Sequence, residues 1–249
     1  MINRLSKNVY YNIYGILSIL FIWTMLHIYV GENMVPSPAK VLETFINMPK
    51  RNIYLHIGYS FYRIISSVIL AILIGIPIGI LIGINKKVRN ILSPIIYLLY
   101  PIPKIAFLPI FMVLFGIGDK SKILLMITII IFQIIISTRD AVLQIDDNIL
   151  IASKLMKFNI LNVCYHVIFP SIAPKLFSAL RISIGISISA LFFSENYATK
   201  YGIGYFIMNS WSMVDYNEMF VGIIILSIIS LLIYKTIDFI EKIVCPWNY

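Results

Sequence analysis

Charge is scarce in this 249-residue sequence: 12% of residues are Asp, Glu, Lys or Arg, against about a quarter in soluble domains. Hydrophobic residues make up 60% and the mean hydropathy is +0.91. No single water-soluble core buries that much apolar surface, so an all-α polytopic membrane protein is expected. The 11 acidic residues all fall in loops or at the edges of apolar runs. That disfavours an ion-coupled carrier, which places acids at mid-membrane. Cys164 and Cys245 lack metal-ligand spacing and read as reduced structural thiols. His27, His56 and His166 have no acid-base or metal partner at helical spacing, which argues against a membrane enzyme. The net charge of +9 forms no stripe with interleaved aromatics, so nucleic acid is excluded as a partner. Gly116-Ile-Gly118-Asp119-Lys120-Ser121 lacks the spacing of a phosphate loop and reads as a turn, leaving no nucleotide-hydrolysing motif.

What the sequence does have is six apolar runs. Arg4 and Lys7 precede the first, Tyr14 to Val30, and no small-x-small cleavage pattern follows it, so a retained helix is expected. In the polar stretch after it, Ser37 and Pro38 read as the cap and first residue of a short outer surface helix. The second run, Tyr54 to Ile84, carries Ala71, Gly75, Gly79 and Gly83 at four-residue steps, a ladder that predicts close helix packing. The third, Ile91 to Ile117, contains Pro94, Pro101, Pro103 and Pro109. Each proline removes a backbone donor, and broken helix at membrane depth survives where protein or a water-filled cavity surrounds it. Pro101, Pro103 and the Lys104 that follows them are therefore candidates for a translocation path, since a lone ammonium there needs a cavity or a partner.

Ile123 to Ser137 is the fourth span. The fifth runs from about 172 to 193, where Ala179, Ser183, Ser187 and Ala190 form a small polar stripe suited to a helix interface or a pore wall. Ser183 and Ser187, with Glu195 at the span's outer edge, join the path candidates, and Arg181 is expected to snorkel to the headgroups. A polar, aromatic connector from Ser194 to Glu218 leads to the sixth span, Phe220 to Ile237. The expected organisation is an N-terminal helix and surface helix over 1–52, a transmembrane domain over 53–240 with a loop at 141–171, and a tail over 241–249.

With both termini inside, the inner segments hold Arg4, Lys7, Lys86, Lys87, Arg89, Arg139, Lys154, Lys157, Lys175, Lys235 and Lys242. The outer segments hold only Lys40, Lys50, Arg51, Lys120, Lys122 and Lys200, so the basic bias puts both termini and the loop in the cytoplasm. As a helix, the loop's Asp146–Pro170 has two apolar stripes, Ile149/Ala152/Met156 and Ile151/Leu155/Phe158, with Ser153, Lys154 and Lys157 on the polar side. Such a helix can pack on the bundle with one stripe and offer the other to a partner, but the pattern alone fits a short amphipathic helix lying at the membrane surface slightly better.

This segment resembles the cytoplasmic loop of ABC-importer permeases, whose pattern is Glu-Ala-Ala, three residues, Gly, nine residues, Ile-x-Leu-Pro. Anchored on Pro170, that pattern falls on Ile151, Ala152, Ser153, Lys157, Val167, Phe169 and Pro170. Ile151 and Lys157 depart from it. The wider chain resembles the nitrate, taurine, aliphatic sulfonate and thiamine-precursor importers of that family. The matching residues are Pro36-Ser-Pro38, Ser60 with Arg63, Gly75-Ile-Pro-Ile-Gly79, Pro101-Ile-Pro-Lys104, Leu108-Pro109, Phe115-Gly-Ile-Gly118, Ser121-Lys122, Leu180-Arg181, Glu195 and Gly202-Ile-Gly-Tyr205. The resemblance implies a type I permease with six spans in the cell membrane, acting as a homodimer. An ATPase pair that binds the ATP would dock at Ile151, Ala152, Ser153, Lys157 and Pro170, and an extracytoplasmic binding protein would deliver the solute. It implies no cofactor or metal and no bond chemistry in the permease itself.

Overall fold

The computed structural model describes residues 2–48, 53–156 and 158–248, without the side chains of 2–9, 12, 147, 150, 154 and 160. Among the described residues every regular element is a helix. Helix α1 (Ile2–Val30) is followed by α2 (Pro38–Asn47), where Ser37 Oγ accepts from Lys40 N and Pro38 takes the first position, as the cap signal predicts. Trp23 Nε1 donates to Pro36 O at 3.0 Å, His27 Nδ1 lies 2.6 Å from Val35 O, and Trp23 stacks on Phe220 of the last span. These contacts fold the connector back over α1.

Helices α3 (Ile53–Ile84), α6 (Asp119–Leu143), α9 (Phe169–Glu195) and α11 (Tyr216–Val244) make the bundle. With α1 they are the five described helices long and apolar enough to cross a membrane. The centre of the bundle is aliphatic, built on Ile64, Ile130, Ile134, Ile184, Leu191 and Ile225. Small residues let α3 and α6 approach closely. A Cβ on Gly75 would stand 2.9 Å from Ile134 Cγ2, one on Gly79 2.6 Å from Thr138 Cβ, and one on Gly83 2.6 Å from Val142 Cβ. Ala71 continues the ladder, fully buried. The ladder thus faces a helix of its own chain.

The proline-rich third run is a bent pair. Helix α4 (Lys86–Leu99) ends before Pro101, a 3₁₀ turn spans Lys104–Phe107, and α5 (Leu108–Phe115) leaves at 86° to α4. Counted as one broken span, the pair brings the total to six. Gly116, at φ 85°, supplies the left-handed turn into α6.

Two regions differ from what the sequence leads one to expect. Helix α10 (Ile203–Ser212) lies within the Ser194–Glu218 connector and buries Ile203, Phe206, Ile207 and Ser210. In the 141–171 loop, α7 (Asp147–Leu155) stops before Met156, so Phe158 lies outside the helix and the second expected stripe is cut short. A short α8 (Ile160–Val163) and a π-helical turn (Cys164–Ile168) then run directly into α9.

Candidate functional site

The break in the third run creates a pocket of about 240 Å³ against α6 and α9, lined by Tyr100, Pro103, Lys104, Phe132, Gln133 and Ser183, among others. In an unbroken helix Leu99 O would accept from residue 103, but Pro103 has no N–H. Lys104 Nζ takes up that role, donating to Leu99 O at 2.9 Å and to Tyr100 O. The ammonium also lies over the rings of Phe132 and Tyr100, 4.9 and 5.4 Å from their centroids. Among the described residues no carboxylate pairs with it. Tyr100 Oη donates to Gln133 Oε1 at 2.8 Å, fixing the polar side of the pocket.

Of the path candidates, the fold brings Pro103, Lys104 and Ser183 to this pocket; Pro101, Ser187 and Glu195 do not line it. Ser183 and Ser187 each donate to the carbonyl four residues back, Ala179 O and Ser183 O, so the expected polar stripe spends its hydroxyl protons within α9.

Glu195 belongs to a second constellation, which the sequence did not assemble. Its side chain is sealed from solvent. Arg63 Nη1 reaches Oε1 at 2.5 Å, Ser60 Oγ donates to the carboxylate at 2.8 Å, and Gly204 N donates to Oε2 at 2.8 Å. Ser60 Oγ in turn accepts from Ile203 N at 2.8 Å. Arg63 also donates through Nε and Nη2 to Asp119 Oδ1, at 2.8 and 2.6 Å. Lys122, 1% exposed, lies within electrostatic reach of Arg63, Asp119 and Glu195. The buried Arg63, Lys122 and Glu195 are thus balanced with the half-buried Asp119, two cations against two anions. His56 Nδ1 bonds the backbone of Gly202, and a Cβ on Gly202 would fall 2.4 Å from Glu195 Cδ. The cluster ties α3, α6, α9 and α10 together at one end of the bundle.

Arg181 lies near the middle of α9. Rather than snorkelling, it donates to Asp238 at 2.9 Å and Glu241 at 2.6 Å on α11, because two carboxylates one turn apart stand opposite it. Tyr234 Oη donates to Arg181 O at 2.7 Å. In the loop, Ile151 and Ala152 are exposed while Ser153 turns inward, 4% exposed, and Pro170 sits in the first turn of α9. Lys157 lies outside the described residues. Ile149, Leu155 and Met156 add further exposed apolar surface on or beside α7.

Long apolar helices, one broken at a lysine-bearing pocket, define a multi-pass membrane protein. Residues 75–247 match the family described as binding-protein-dependent transport system inner membrane component, and the chain belongs to that family. The taurine transport system permease protein TauC of Escherichia coli is 29% identical over 98% of this chain and 92% of its own length. The nitrate import permease protein NrtB of a Synechocystis strain is 29% identical over 92% and 86%. The inward-facing MetNI methionine ABC transporter has the same fold, with a TM-score of 0.66 at 22% identity over 79% of this chain and 99% of that one. The protein is thus an ABC-importer permease of the taurine, sulfonate, nitrate and thiamine-precursor group, a multi-pass component of the plasma membrane. It is not an enzyme, and the ATPase is a separate subunit that works with it and with a binding protein.

Proposed function

We propose that this permease carries a small oxyanion, a sulfonate or nitrate-like solute, and that Lys104 meets it in the α4–α6–α9 pocket. One observation carries the reading: the ammonium stands at the pocket wall with two carbonyls and two ring faces but no carboxylate among the described residues. A cation so placed in a membrane protein is neutralised most simply by an anion in transit. The names of the relatives fit the same chemistry, since taurine carries a sulfonate and nitrate is an oxyanion. Uptake with the cognate binding protein tests it. Lys104→Met should lower anion uptake at least tenfold without loss of assembled protein. Unchanged uptake, or wild-type transport of an uncharged solute alone, removes Lys104 from the path.

The 141–171 loop is assigned to ATPase coupling and, with both termini, to the cytoplasm. The exposed Ile151 and Ala152 and the basic bias of the inner segments support this. Two copies of the permease are proposed to form the translocation unit, in keeping with the exposed apolar face of the bent pair, where Tyr97, Val113 and Leu114 are each at least two-thirds exposed.

A further inference from the structure

Where α3 turns into α4, opposite the last turn of α6, a second cleft opens. It has a volume of about 390 Å³ and is lined by Arg89, Asn90, Ser93, Pro94, Arg139, Asp140 and Leu143. Arg89 Nη1 donates to Gly83 O at 3.0 Å, and Arg139 donates through Nε and Nη2 to Asp140 Oδ1 at 2.7 Å. The other guanidinium N–H groups have no acceptor among the described residues. Ser93 Oγ is shielded from solvent and has no hydrogen-bond partner among them. One carboxylate against two guanidiniums leaves the cleft cationic, and the exposed Lys86 and Lys87 stand in the first turn of the same helix α4.

Both helices end here, α3 at Ile84 and α6 at Leu143, so the cleft sits where hydrocarbon gives way to headgroups. On the next face of α4, Ile91, Ile95 and Leu98 follow at i, i+4 and i+7 and are 66, 49 and 71% exposed. A cationic cleft at the boundary above an apolar track matches a phospholipid in both its parts. We propose that the cleft binds the phosphate of an anionic phospholipid through Arg89 and Arg139, with an acyl chain along Ile91, Ile95 and Leu98. A soluble anion would gain nothing from the apolar track.

Native mass spectrometry of the transporter assembled with its ATPase tests this, with phosphatidylglycerol and phosphatidylcholine as probes. Wild-type protein should retain phosphatidylglycerol preferentially, and each arginine replaced by glutamine should weaken that retention about fivefold. Asp140→Asn should strengthen it, because a competing carboxylate is removed; a purely structural role for the Arg139–Asp140 pair gives the opposite sign. Millimolar glycerol phosphate should leave the lipid in place. Equal retention of the two lipids, or a preference unaltered in Arg89→Gln/Arg139→Gln, overturns the proposal. Displacement by glycerol phosphate overturns it too, and reassigns the cleft to soluble phosphates. If the double variant fails to assemble, Arg139→Gln and Asp140→Asn carry the test with their opposite signs.

Discussion

Arg63 and Glu195, separated by 132 positions in the sequence, form a 2.5 Å ion pair in which neither side chain is more than 4% exposed. Removing Arg63 strands the buried Glu195, at a cost of roughly 3–5 kcal/mol, and removing Glu195 leaves Arg63 and the nearby Lys122 facing Asp119 alone. Glu195→Gln should therefore reduce assembled protein in the membrane and lower its melting temperature. Arg63→Met/Glu195→Met, which removes both charges, leaves Lys122 with Asp119 and should recover part of the loss. A double variant no better than the sum of its parts would show that the two residues act independently.

The α3–α6 seam gives the second prediction. Gly79 faces Thr138 Cβ and the carbonyl of Ile135; a methyl on Gly79 would lie 2.9 Å from that carbonyl oxygen, which has no rotamer to escape into. Gly79→Leu should cost at least about 1–3 kcal/mol and lower the yield of folded permease. Gly58, with open space around its Cα, is the control: Gly58→Ala should express at the wild-type level.

On the exposed side of α7, Ala152→Trp should leave the permease in the membrane but abolish binding-protein-dependent uptake, because the added ring occupies the approach of a docking surface. Ser153→Trp should behave differently. Its side chain is buried, so the variant should lose folded protein as well as transport. Equal membrane yields for the two would contradict the inward placement of Ser153.

Thiol chemistry separates the two cysteines. Cys164 is half-buried in the π-turn, while Cys245 is fully buried after α11. Burial and the nearby Glu241 push the Cys245 thiol above its usual range. Less of it is thiolate at a given pH, and thiolate is the reactive form. A maleimide should label Cys164 within minutes and Cys245 only after denaturation.

Local physics makes much of this legible. Ser37 and Pro38 announce α2, the glycine ladder its own close packing, and Pro101 and Pro103 the break that Lys104 fills. The charged cluster is not legible as a cluster. Ser60, Arg63, Lys122, Glu195 and Gly202 each stand in a recognisable motif, but no local periodicity relates positions this far apart, and only the helix packing brings them together. The pairing of Arg181 is hidden for the same reason, since its carboxylate partners lie on another span. Helix α10 does leave a trace, the i, i+3, i+4, i+7 spacing of Ile203, Phe206, Ile207 and Ser210, hidden among polar and aromatic neighbours.

Helix α9 carries one more consequence. It continues directly from the π-turn that follows α8, runs 27 residues or roughly 40 Å, and is bolted by charge at Arg181 to α11 and at Glu195 to α3. On the proposed assignment of the 141–171 loop to ATPase coupling, a push delivered there would meet a braced strut rather than a free rod. That strut would carry the fastened helices as one frame, to which the bent pair, with Pro101 and Pro103 at its elbow, is held without an ion pair, by the Tyr100–Gln133 hydrogen bond and by Lys104 over Phe132.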